Sequence, residues 1–277
     1  MLCLIISSFI CFGPAQALAK TQNLCKISYP SDSKIEWKCY KLKKGETLEK
    51  LFKGKWEDVA RFNRIDRRHA YAGVSIKVPM DSRRLTGFNP MPLFYPPAEK
   101  EEKYILINLV EQYLGAYENG GLVFSMPVAT GRPGYETPQG DFRITAAHKN
   151  HVSNRYKIEN TDTPYPMYYG LKFHQSRSGA GYYIHGRDVP GYPASHGCIG
   201  LYEESMQKKF YNEPKSPELD DIRILFRWAV GAEKADNRYY NIKNGPVVRI
   251  AGRTPVIPGV TKPKGITDVH REKMVGP

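Results

Sequence analysis

Two apolar runs, Tyr104–Val110 and Leu122–Thr130, flank a third at Gln112–Tyr117, and an Asn119-Gly120-Gly121 triplet divides them. Period-two alternation sends successive side chains to opposite faces of a strand. Asn-Gly supplies the positive φ that a tight hairpin turn needs. The segment is therefore bound to pair as antiparallel sheet. Gly131 to Gly140, rich in Gly and Pro, reads as a loop. Further strands are expected at Asp141–Thr145, Tyr168–His174, Gly181–His185 and Val247–Ile250. Helices are expected only near Tyr202–Phe210 and Asp221–Val230. That order predicts a mainly β domain over residues 104–252, a sandwich or barrel with a few helices.

A smaller unit precedes it at 37–80. Cys39 to Leu42 reads as a strand, Thr47 as the cap of a helix through Leu51 and Phe52, Trp56–Asn63 as a second helix, and Ser75–Pro79 as a closing strand. Such a βααβ unit is short of core, and a covalent tie would help hold it. Residues 81–103 carry four prolines between 90 and 97 and a charged end, which predicts an extended linker. Residues 253–277 have little periodicity and read as an extended tail.

Residues 1–19 hold no charged side chain, an apolar run from Leu2 to Phe12, and a small-residue pattern at Ala17-Leu18-Ala19. This predicts a secretory signal peptide and an exported protein in the periplasm or cell wall. No other stretch is apolar enough to span a membrane. The formal net charge of +13 favours anionic partners such as a wall polymer. The basic residues are spread along the chain, which argues against a nucleic-acid surface. Of the five cysteines, Cys3 and Cys11 leave with the signal, Cys25 and Cys39 are expected to pair in an oxidising compartment, and Cys198 is left over.

The chemistry concentrates in Tyr182–Leu201, YYIHGRDVPGYPASHGCIGL, which brings His185, His196 and Cys198 within fourteen residues. An imidazole near a thiol can take its proton and release the thiolate nucleophile. Gly197 lets the backbone approach a substrate, and two amide N–H groups there could hold an oxyanion, worth about 3–4 kcal/mol each. A small buried cysteine beside two ordinary histidines is the plain alternative. A zinc site is the third, but His-x-Cys spacing is unusual for structural zinc, so no metal and no cofactor are expected.

The early His185-Gly186 followed by Ser195-His196-Gly197-Cys198 resembles the signature of YkuD-type L,D-transpeptidases. The Thr137-Pro138-Gln139-Gly140-Asp141-Phe142 turn and the Gly245–Ile250 strand resemble the same family, over about Tyr104 to Ile250. The resemblance implies that Cys198 attacks the carbonyl after the third residue of a peptidoglycan tetrapeptide stem and expels the terminal D-alanine. His185 is then the general base, oriented by the Gly186 carbonyl, and His196 assists beside Cys198. The Gly197 and Cys198 amides make the oxyanion hole, and a diaminopimelate amine resolves the thioester into a 3-3 crosslink. Ser195, Tyr168, Tyr169 and Arg187 are the implied substrate contacts. Gly200 stands where the family usually has Arg, and Arg187 is the candidate to replace its charge. The 37–80 unit, with YKLKKGETLEKL and WEDVARFN, resembles a LysM glycan-binding domain, although its RIDRRHAYAG tract is unusually basic. Peptidoglycan is thus the expected partner, through stem peptides and glycan strands. Resolution by water would make the protein a carboxypeptidase or amidase, a protein lysine would make it a wall-attachment enzyme, and loss of activity at Gly200 a binding protein.

Overall fold

The computed structural model describes residues 22–158 and 161–258. The signal segment 1–19 and most of the tail lie outside the described residues. In the first unit, β1 (Trp37–Lys41) leads to α1 (Leu48–Phe52), α2 (Trp56–Asn63) and β2 (Ser75–Pro79). The two strands pair antiparallel, from Trp37 opposite Pro79 to Lys41 opposite Ser75. Thr47 caps α1 by accepting from the Lys50 N–H. Asn63 ends α2 and ties it to β2: its amide donates to the Val59 and Lys77 carbonyls and its oxygen accepts from Lys77 N–H. The expected Cys25–Cys39 disulfide is present and ties β1 to the turn before it.

The larger unit contains β3 (Tyr104–Asn108), β4 (Tyr113–Glu118), β5 (Gly121–Pro127), β6 (Gly140–Arg143), β7 (Ala146–His148), β8 (Val152–Lys157), β9 (Pro164–Pro166), β10 (Gly170–Gln175), β11 (Gly181–Gly186) and β12 (Ile199–Leu201). Then come α3 (Glu204–Tyr211), α4 (Asp221–Val230), β13 (Tyr239–Asn241) and β14 (Val247–Ala251). One sheet runs β5-β4-β3-β14-β6 and the other β12-β11-β10-β7-β13. Their apolar faces share one core. Ile105, Ile107, Leu114, Val248 and Ile250 come from the first, Leu171, Phe173, Ile184 and Ile199 from the second, and Ile222, Leu225 and Phe226 from α4. The fold is mainly β with few helices, a two-sheet arrangement as the alternation predicts. No helix among the described residues is long and apolar enough to cross a membrane.

Two expectations about the joints need correction. Residues 81–103 are a packed segment and not a free linker, since Met91 and Ala98 are buried with Tyr104, Tyr113 and Tyr117. The start of the tail is also held, because Ile257 is buried in the core of the first unit.

The last turn of α2 and the basic tract after it dock the two units. Arg64 is fully buried and donates to Asp32, Ser31 and Glu111. Arg61 makes a two-pronged pair with Asp221 at the start of α4, at 2.7 and 2.8 Å. Arg67 pairs with Glu204 of α3, and Tyr202 donates to the Ile65 carbonyl. Charge that looked surplus in the sequence is thus consumed in an interface.

Candidate active site

The segment 187–198 joins β11 to β12, and these two strands pair in parallel, with His185 opposite Gly200. A parallel pair needs a crossover, so both ends of this loop return to neighbouring positions. His185 at the end of β11 and Cys198 just before β12 are therefore held at the ends of two neighbouring strands. The loop is clamped from two sides. Ala194 and Ser195 donate their N–H groups to the Thr130 carbonyl, and Ser195 accepts from Arg132. On the other side Asp66 and Val189 exchange hydrogen bonds, Arg68 pairs with Asp188 at 2.7 Å, and Tyr29 donates to the Gly191 carbonyl. The first unit thereby fixes part of the loop that carries Cys198.

Cys198 is the free cysteine among the described residues. Burial pushes its thiol above the ordinary value, while the Tyr183 backbone N–H on the sulfur and the charge of Arg187 pull it down. His185 is buried, and its Nδ1 lies 2.8 Å from the Gly186 carbonyl. A carbonyl only accepts, so Nδ1 carries the proton and Nε2 is the basic nitrogen. Burial, then Arg187, drives its pKa down to about 3. At neutral pH both groups rest neutral, a thiol and an imidazole, and not the ion pair that sequence chemistry suggested.

Gly186 is where it is because Glu203 fills the space beside it: a Cβ there would fall 1.7 Å from Glu203 Oε2. That carboxyl is buried, and burial holds its pKa well above the usual carboxylate range. Gly197 has φ +110° and faces the Tyr182 ring, which leaves no room for another residue.

Other expected site residues are placed differently. Ser195 is buried and stitches the loop, accepting from Gly197 N–H at 3.0 Å and donating to the Cys198 carbonyl at 2.5 Å. It is not open to a substrate. The Gly197 N–H is committed to it as well, which takes that amide away from the expected oxyanion hole. Tyr168 lies against α3, with its hydroxyl accepting from Lys209 and its ring 6.2 Å from Phe210. Tyr169 packs edge-on to Phe226 of α4. The Tyr168 carbonyl accepts from the Gly186 N–H at 2.9 Å, so its backbone adjoins His185 while both rings pack on the helices.

Aromatic neighbours come instead from segments that the sequence did not single out. Tyr156 of β8 stacks on His196 with centroids 4.6 Å apart, and Tyr135 meets the same ring edge-on at 4.5 Å. Arg132 donates to His196 Nε2 at 3.0 Å, so this ring is neutral with its proton on Nδ1. Partial burial, with Arg132, Arg187 and Arg155 nearby, lowers its pKa to about 4. His151 stacks on Tyr183 at 4.3 Å.

Gly200 and Arg187 explain each other. A Cβ on Gly200 would lie 1.9 Å from Arg187 Cγ and 2.0 Å from Cδ. The Arg187 side chain occupies the space that a residue larger than glycine would need, and its charge acts on Cys198, His185 and His196.

His185, His196 and Cys198 do not converge as metal ligands. Among the described residues the one acidic-histidine group with ligand atoms in mutual reach is Asp66, His69 and Asp188. Its atoms are already used, Asp66 by Val189, His69 and Gln207, and Asp188 by Arg68 and Gln207. That group is a docking contact.

A family model described as the YkuD L,D-transpeptidase catalytic domain matches residues 102–259. No curated protein matches the chain. Among solved structures, an L,D-transpeptidase (Yku) from Stackebrandtia nassauensis is 23% identical over 56% of this chain and 58% of its own, with a TM-score of 0.37. L,D-transpeptidase 1 from Mycobacterium tuberculosis is 18% identical over 54% and 62%, with a TM-score of 0.35. An L,D-transpeptidase from Xylanimonas cellulosilytica is 18% identical over 78% and 98%, with a TM-score of 0.41. The chain spans less than two thirds of the length of the first two.

Proposed function

The chain belongs to the YkuD family of L,D-transpeptidase catalytic domains, and from that premise we propose that it is an exported cysteine acyltransferase acting on peptidoglycan stem peptides. The observation that carries the proposal is that His185 and Cys198 stand at the two ends of a loop between paired strands, and that the buried His185 has its Nδ1 pinned by Gly186, so that Nε2 is the base. The Cys198 proton passes to His185 Nε2 as the sulfur attacks the carbonyl after the third stem residue. Collapse of the tetrahedral intermediate expels D-alanine, whose amine takes that proton, and leaves a thioester on Cys198. A diaminopimelate amine on a second stem then attacks the thioester, giving its proton to His185 and on to the departing sulfur, which forms a 3-3 crosslink. With the Gly197 N–H held by Ser195, the Cys198 N–H remains the candidate oxyanion donor in this loop.

Incubation of the purified protein with muropeptides is expected to give a 3-3 dimer by mass spectrometry. Tripeptide alone would mean that water is the acceptor, and unchanged muropeptides would sink the enzymatic reading. The first unit is assigned wall glycan contact through the surface that docking leaves open. Co-sedimentation with insoluble peptidoglycan tests that assignment, and full recovery in the supernatant counts against it.

The pH dependence has a defined sign. A histidine whose pKa is lowered to about 3 stays an unprotonated base as acidity increases, and is lost only as pH falls through that value. Acylation of Cys198 is therefore expected to hold between about pH 5 and 8, without an acid limb near the ordinary imidazole value of about 6.5. A limb centred there would show that His185 titrates normally in the working enzyme.

A further inference from the structure

The surroundings of Cys198 hold an imbalance of charge that acyl transfer itself does not require. Arg132, Arg155 and Arg187 come from three segments, the loop after β5, strand β8 and the loop after β11. Arg132 reaches His196, and its guanidinium carbon lies 4.9 Å from the Tyr135 centroid. Arg155 stands next to Tyr156, whose ring covers His196, and lies 5.8 Å from that ring's centroid. Arg187 runs across Gly200, close to the thiol. All three act electrostatically on His196.

No ion pair joins any of the three to a carboxylate of this chain among the described residues. At the interface between the units, by contrast, Arg61, Arg64, Arg67 and Arg68 each have an acidic partner. The Nε atoms of Arg132 and Arg187 are buried without a hydrogen bond. Converging unpaired guanidiniums repel one another, and such an arrangement is relieved when a ligand brings carboxylates.

We propose that Arg132, Arg155 and Arg187 are specificity-determining residues that select a stem peptide bearing a free side-chain carboxylate beside the scissile bond, in addition to its C-terminal carboxylate. This rests on the acyl-transfer reading for the identity of the peptide, and on the three arginines for the demand for a second anion. A stem whose third residue is a diamino dicarboxylic acid meets the demand. The same stem with that side-chain carboxyl converted to the amide does not, because the amide offers no charge and a weaker acceptor.

The test uses two synthetic tetrapeptide stems identical except for that free acid or amide. For the wild-type chain, kcat/KM for the acid is expected to exceed that for the amide by about tenfold to hundredfold, the range of one lost charge-assisted hydrogen bond. Arg155→Gln, at an exposed position, is expected to lower kcat/KM for the acid more than for the amide and so collapse the ratio. Arg187→Gln should also collapse the ratio, while lowering turnover of both peptides and slowing Cys198 alkylation by uncharged iodoacetamide, a readout that Arg155→Gln leaves alone. Affinity of both peptides for the Cys198→Ala protein separates the two levels of inference. Discrimination in binding without wild-type turnover removes the acyl-transfer reading and leaves the arginine assignment standing. Turnover of both peptides with equal kcat/KM, or a ratio unaltered in Arg155→Gln, overturns the assignment.

Discussion

A Cys198→Ala protein is expected to fold normally and to lose acyl transfer by roughly 10⁴-fold or more, the scale seen when a covalent catalyst loses its nucleophile. The fold should survive because the loop is held by atoms the substitution does not touch. Ser195 Oγ bonds to the Cys198 carbonyl and the Gly197 N–H, and both are backbone groups. Alanine also removes little volume from a half-buried position. Cys198→Ser is the sharper variant. A hydroxyl holds its proton far more tightly than a thiol, and a base whose pKa has been driven to about 3 is too weak to remove it before attack. Serine is therefore expected to behave like alanine, despite its similar size. Intact-mass detection of a substrate or β-lactam adduct on the wild-type chain, and of none on either variant, is the check. Crosslinking retained by Cys198→Ala would take Cys198 out of the reaction altogether.

How far the sequence could lead depends on the range over which each signal acts. Helices α2 and α4 stand at Trp56–Asn63 and Asp221–Val230, as expected from their apolar spacing, because that signal lies within the helix itself. The hairpin from β4 to β5 was readable for the same reason. Strands β8 and β9 were not. β8 is exposed at five of its six positions and β9 has proline at both ends, so neither carries alternation or strong propensity, and pairing with each other supplies what the local sequence lacks. The same limit governs the site. His185, Gly186 and Cys198 share one short motif and could be found together. Tyr135 and Tyr156 reach His196 from 61 and 40 positions away, and nothing local marks them. As site residues Tyr168 and Tyr169 rest on the family resemblance alone, and the packing of their rings on Phe210 and Phe226 depends on helices remote in sequence. Gly200 is an intermediate case: the departure was visible, but its cause, the Arg187 side chain lying over it, is a contact between strand neighbours.

The same logic makes Arg64 the residue whose replacement should cost the fold most. It lies just past α2 in the left-handed conformation at φ +53°, and it is fully buried. Its donors serve the Glu111 carbonyl at 3.1 Å, Asp32 at 3.1 Å, Ser31 at 2.8 Å, Glu111 Oε2 at 3.1 Å and the Phe62 carbonyl, and its guanidinium lies 4.0 Å from the Tyr29 centroid. Asp32, Glu111 and Lys77 complete a buried group of two acids and two bases. Removing one base leaves an uncompensated carboxylate and unsatisfied acceptors in the interior, a situation that costs about 3–5 kcal/mol. Arg64→Ala is expected to lose that much in denaturant unfolding, a large share of the roughly 5–15 kcal/mol that natural domains possess. Arg64→Lys keeps the charge but has three donors on one atom, which cannot span acceptors on three segments, so its loss should be intermediate. Because Glu111 belongs to the β3–β4 connection and Asp32 to the first unit, the wild-type chain should unfold in one transition. In Arg64→Ala the two units should separate into two. A loss below about 1 kcal/mol would mean that the network behaves as a solvated surface pair. A single unshifted transition would mean that Arg61 and Arg67 hold the units together without it.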